Sequence, residues 1–245
     1  MDVWILVALL VVGLPLLAYW RYQRLQRIKG YPSTKVKLRV YGTAVVTQWS
    51  LVAFAAWILT RRDLDLNHLF NLKPVAPWAW FAAIGLAVLL LWLTRTSLPD
   101  VEKTQSKDLP THIQKLFRIL PTNGIEIFGF YLLSITAGVC EEILYRGFLF
   151  YAFDMPAIVL VFLTATIFGF AHAYQGVQGM VSTGILGIAF AALYYYGGSL
   201  WPPILLHALI DIGNGYTLGN FAGEMRNKSD QHAAEDPPRG PDSPV

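Results

Sequence analysis

The chain has 245 residues, of which 55% are hydrophobic and only 14% charged, and its mean hydropathy is +0.45; this balance excludes an ordinary soluble domain and places it among integral membrane proteins. A net charge of +3 is too weak to argue for nucleic acid, and the basic residues lie in loops beside apolar runs, as membrane topology places them. The single cysteine, Cys140, excludes an internal disulfide and any cysteine-based zinc spacing.

Runs of about 20 apolar residues predict an all-α polytopic transmembrane bundle of about seven spans. The first is Val3–Trp20; basic residues follow it rather than precede it, the reverse of a secretory signal, so a retained helix is expected. Arg21, Arg24, Arg27, Lys29, Lys35, Lys37 and Arg39 then form the most basic loop. By the positive-inside rule that loop is cytoplasmic and the N-terminus lies outside, with the plasma membrane as the expected host. The second span is Val40–Thr60 and the third Pro77–Leu93, with Trp57, Trp78, Trp80 and Trp92 near the ends, where interfacial aromatics belong. Within the next segment His112–Leu120 (HIQKLFRIL) has the spacing of an amphipathic helix lying on the membrane surface.

The fourth span runs from Glu126 to Phe153. Pro156 opens the fifth, Ala157–Tyr174; the sixth, Val177–Tyr196, is rich in Gly and Ala, which lets helices approach closely. The seventh runs from Trp201 to Gly219. The expected organisation is a three-span N-terminal region (1–94), a cytoplasmic linker (95–124), a four-span catalytic membrane domain (125–220) and a polar tail (221–245) expected to be disordered.

Chemistry concentrates at Cys140–Phe150, CEEILYRGFLF, which sets two carboxylates and a guanidinium in an apolar span. Ionisable groups at bilayer depth cost several kcal/mol unless paired or facing a polar cavity, so the cluster reads as a working site. Glu142 and Arg146 stand four apart and can pair, while Glu141 points about 100° away on the helical wheel. A purely structural ion-pair network is the alternative. His172 closes the fifth span one turn after Phe168, where a histidine can also simply sit in the interface. His207 and Asp211 are four apart in LLHALIDIG, a spacing that also suits a bond locking two helix turns. Counted at the helical rise from the nearest turns, Glu141 lies roughly 18 Å deep and His172 roughly 22 Å, but His207 only about 9 Å and Asp211 about 15 Å.

Three ordered motifs resemble the CPBP intramembrane proteases, also called the ABI family, which include the type II CAAX prenyl endopeptidases and bacteriocin-related proteins. Glu141–Arg146 (EEILYR) is similar to the family's EExxxR, Phe168–His172 (FGFAH) to FxxxH, and His207–Asp211 (HALID) to HxxxN/D. The resemblance covers about Ile125 to Gly219 and implies hydrolysis of a peptide bond in a membrane-held substrate, such as a prenylated CAAX tail or a bacteriocin leader. It implies that Glu141 with His172 activates water and that His207 donates toward the oxyanion. Glu142, Arg146 and Phe168 then orient the site. The family's last position is often Asn; an ionised Asp cannot donate, so Asp211 must be protonated, orient His207 or bind a metal. Glu141, His172, His207 and Asp211 are ligands of the kind zinc accepts, and a metal-free glutamate-activated water is the other mechanism.

Two other classes remain open. A proton-coupled transporter also uses intramembrane Glu, His and Asp, although here the polar groups occupy one half of the chain without a matching broken helix in the other. A non-catalytic immunity or scaffold protein is the third. HExxH is absent, and Gly197-Gly198-Ser199-Leu200 lacks the final Gly of a rhomboid-like GxSG.

Overall fold

The computed structural model describes residues 1–63, 71, 73–104, 109, 113 and 116–235. Among them the chain is helical and has no strand. Seven helices follow one another: α1 Asp2–Gln26, α2 Thr34–Arg61, α3 Pro77–Ser97, α4 Gly124–Ala152, α5 Ala157–Ala171, α6 Val177–Gly197 and α7 Trp201–Glu235. Five of these, α1, α2, α3, α4 and α6, are long and apolar enough to cross a membrane, and α5 is a shorter apolar helix.

Local sequence explains the helix ends and the two irregular turns. Pro77 occupies the first turn of α3, where its missing N–H costs nothing. Asn123 caps α4, its Oδ1 accepting from the Glu126 amide at 3.0 Å. In α1 the stretch Leu9–Gly13 is wound as a π-helix just before Pro15, whose ring would otherwise press on the carbonyl four residues back. A second π stretch, Ile143–Phe148, lies inside α4 beside the charged cluster. Such single-turn π insertions gather at functional sites because they re-aim side chains.

The interior is built from the small or narrow faces of the helices. On α3, Ala79, Ala83 and Ala87 repeat every four residues and are buried, whereas Phe81, Val88 and Trp92 point outward, as in a helix facing lipid. The main apolar core joins residues of all seven helices around Tyr145, Phe148, Phe168 and Phe190. Between α2 and α4 a buried polar tie adds to the packing: Lys37 Nζ donates to Glu126 Oε2 at 2.9 Å and to the Leu120 carbonyl at 2.7 Å, and Thr34 donates to Glu126 Oε1 at 2.7 Å.

One expectation needs correction. The seventh helix does not stop near Gly219 with a disordered tail from residue 221; it continues to Glu235. Phe221, Ala222 and Met225 extend its apolar face and bury against Phe117 and Leu120 of the preceding linker. The expected surface helix His112–Leu120 lies partly outside the described residues; of those described, Ile113 and Leu116 are helical, and 117–120 is a turn anchored by Phe117 and Leu120. Residues 236–245 also lie outside them.

Candidate active site

The charged cluster of α4 is fully enclosed. Arg146 Nη1 donates to Glu142 Oε1 at 2.9 Å, and neither side chain is exposed. Arg146 Nη2 donates to the Gly187 carbonyl of α6 at 3.0 Å, and the guanidinium lies 4.7 Å from the Phe168 ring centre and 5.2 Å from that of Phe190. A buried ion pair is costly unless further contacts offset its desolvation; the α6 carbonyl and two aromatic faces do so in part, while Glu142 Oε2 and Arg146 Nε are buried without a hydrogen-bond partner.

His207 joins the same carboxylate. Its Nδ1 is 2.9 Å from Glu142 Oε1, and because a carboxylate only accepts, Nδ1 carries the proton. Nε2 then faces the cavity, 3.7 Å from Asp211 Oδ2 and 4.0 Å from Glu141 Oε2. The ring stacks on Phe190 at 4.9 Å and meets the edge of Phe168 at 5.8 Å. This approach depends on Gly138, one turn before Glu141: a Cβ there would stand 3.1 Å from both the Ala208 amide nitrogen and the Ile204 oxygen of α7. The depth count set His207 well above the glutamates, yet they meet. The turn 143–148 of α4 is π-wound, so a count at the regular α-helical rise overstated how deep the glutamates lie.

His172 ends α5 and turns its ring back over Phe168, 4.8 Å away. Its Nδ1 is 2.9 Å from the Phe168 carbonyl oxygen, which can only accept, so the proton sits on Nδ1 and Nε2 holds a lone pair. No hydrogen bond links His172 to Glu141. Both line one cavity of about 360 Å³, together with His207 and Asp211.

Two residues in this cavity escaped the sequence reading. Gln48 of α2 donates from Nε2 to Glu141 Oε1 at 2.6 Å, and is itself buried. Asn214 lies one turn beyond Asp211 on α7 and lines the same space. Glu141 Oε2, Gln48 Oε1 and Asn214 Oδ1 are buried without a hydrogen-bond partner. Asn214 was legible as the next polar residue at helical spacing after His207 and Asp211; Gln48 carried no signal, because one amide in an apolar span names no partner.

Residues 123–213 match the family model for type II CAAX prenyl endopeptidase, Rce1-like. The resemblance read from the three motifs holds for this segment. The matched segment contains Glu141, Glu142, Arg146, Phe168, His172, His207 and Asp211, and leaves out α1 to α3, Gln48 and Asn214. Comparison with curated proteins and with solved structures returns no match.

Among the described residues no group of three or more His, Cys, Asp and Glu side chains is arranged to hold a metal ion. His207 has one nitrogen committed to Glu142, and its other nitrogen stands 3.7 and 4.0 Å from the two carboxylates that would complete a set. Glu141, His172, His207 and Asp211 therefore do not converge as ligands.

Proposed function

We propose that the protein is an intramembrane endopeptidase that hydrolyses a membrane-held peptide through a water activated by Glu141. One observation carries this reading: Glu141 has Oε1 fixed by Gln48 while Oε2 is buried without a partner in the cavity that His172, His207 and Asp211 also line. A carboxylate held by one oxygen and open at the other is oriented to take a proton.

In the proposed reaction the water is bound between Glu141 Oε2 and the lone pair on His172 Nε2. Glu141 removes its proton, the oxygen attacks the peptide carbonyl carbon, and the proton is passed on to the leaving nitrogen as the C–N bond breaks. The products are a carboxylic acid and an amine, which exchange a proton to become carboxylate and ammonium, so atoms and charge balance. The developing oxyanion is met by His207 Nε2, which donates when the ring carries both protons. Asp211 orients this ring, and the Asn214 amide supplies the neutral donor that Asp211 does not.

Leu14, Ala18, Leu25, Val40 and Ala44 give the cavity an apolar wall next to the polar site. That combination suits a lipidated C-terminus or an apolar segment better than a soluble peptide. Because the cavity extends toward the basic ends of α1 and α2, the proposed access is from the cytoplasmic side of the plasma membrane, with the N-terminus outside.

The test is cleavage by the purified protein of paired synthetic peptides, one S-prenylated near its C-terminus and one unmodified, with products identified by mass spectrometry. Selective cleavage of the prenylated peptide at one bond supports the reading. No cleavage of either peptide, in protein that is folded and membrane-inserted, contradicts it.

A further inference from the structure

Arg21 is the one cavity-lining cation that the proposed chemistry does not use. It belongs to α1, which continues to Gln26 instead of ending at Trp20, so its guanidinium is carried on a helix and lines the cavity of Glu141, His172 and His207. Its hydrogen bond among the described residues runs from Nη2 to Thr47 Oγ1 at 3.0 Å. Thr47 is neutral, and no carboxylate among the described residues lies in ion-pair contact with Arg21. The other arginines nearby are committed: Arg24 lies 3.8 Å over the Trp20 ring, Arg118 donates to the carbonyls of Leu25, Ile28 and Gly30, and Arg146 holds Glu142.

A half-buried guanidinium with five N–H donors and a single neutral acceptor is set up to receive an anion. Its flat fork fits a carboxylate through two parallel hydrogen bonds. The position relative to the glutamate is also constrained. Thr47, which Arg21 touches, is followed in α2 by Gln48, which touches Glu141. The path from Glu141 through these two residues to Arg21 spans at most roughly 17 Å, a distance that about five extended residues cover.

We propose that Arg21 binds the free C-terminal carboxylate of the peptide substrate, so that cleavage falls within about five residues of that terminus. This rests on the peptidase reading above, which it deepens by naming the substrate's anchor. A carboxylate is favoured over an anionic lipid headgroup because Arg21 faces the internal cavity shared with Glu141.

The test is binding, with cleavage followed in parallel, using the full chain in phosphatidylcholine nanodiscs. The probe is a fluorescent peptide with an S-farnesylated cysteine three residues before its end, made as the free acid and as the C-terminal amide. The wild type should bind the acid about tenfold or more tighter than the amide, as expected for loss of a charge-assisted bond. That ratio should fall to near one in Arg21→Gln and persist in Thr47→Val, which removes only the resting partner. Equal binding of acid and amide to wild type, a preference that survives in Arg21→Gln, or no binding of either form overturns the assignment. So does displacement of both forms alike by phosphatidylglycerol, which would give Arg21 to a lipid headgroup. Preferential binding without cleavage contradicts the peptidase reading alone, and cleavage without preference contradicts the Arg21 assignment alone.

Discussion

Gln48 Nε2 on α2 lies 2.6 Å from Glu141 Oε1 on α4, so a residue outside the family-matched segment fixes the carboxylate proposed as the base. A hydrogen bond to a charged group is worth about 1.5–3 kcal/mol. If it is needed to aim Oε2, Gln48→Leu should lower kcat about 10- to 100-fold. KM should change little, since Gln48 touches the glutamate rather than the peptide. Gln48→Glu should be at least as damaging, because it sets a second carboxylate against Glu141. Steady-state kinetics on both variants check this, and an unchanged kcat in Gln48→Leu removes Gln48 from the site.

Glu142 serves two partners, Arg146 and His207, each at 2.9 Å from the same oxygen. Glu142→Gln should therefore lower stability by about 3–5 kcal/mol, the cost of leaving a buried cation unpaired. The check is a thermal unfolding curve in detergent. A midpoint equal to that of wild type would mean that the Glu142–Arg146 pair does not carry the fold.

The helical bundle was legible in the sequence because the signal for a span is additive: about 20 apolar residues suffice, whatever they touch. Helix starts at Pro77, Ala157, Val177 and Trp201 agree with it, each beside a proline or glycine. The continuation of α7 to Glu235 was hidden because Phe221, Ala222 and Met225 are few among polar neighbours and bury in a cluster with residues distant in sequence, among them Phe117 and Leu120. The meeting of Glu142 with His207 was hidden for a related reason. It depends on the helix crossing at Gly138 and on the π turn at 143–148, and neither leaves a periodic trace. The motif residues themselves were legible, since charge inside an apolar span is costly wherever it occurs.

The side chains act without a metal in this account. Elemental analysis of the purified, active protein should find well under one zinc per chain, and treatment with a chelator should leave the cleavage rate unchanged. One zinc per chain, lost in both Glu141→Gln and His172→Ala, would restore the four-ligand set that the observed distances do not form.

The most direct measurement is the turnover of the prenylated peptide by Glu141→Gln beside wild type, with membrane abundance and unfolding temperature recorded for both. Gln is isosteric and can still bond Gln48, so the fold and the cavity should persist while the base is removed. The account predicts normal abundance, an unfolding temperature close to wild type and turnover reduced by at least about 100-fold, the range expected for loss of a general base. Wild-type turnover in a properly folded Glu141→Gln protein would contradict it.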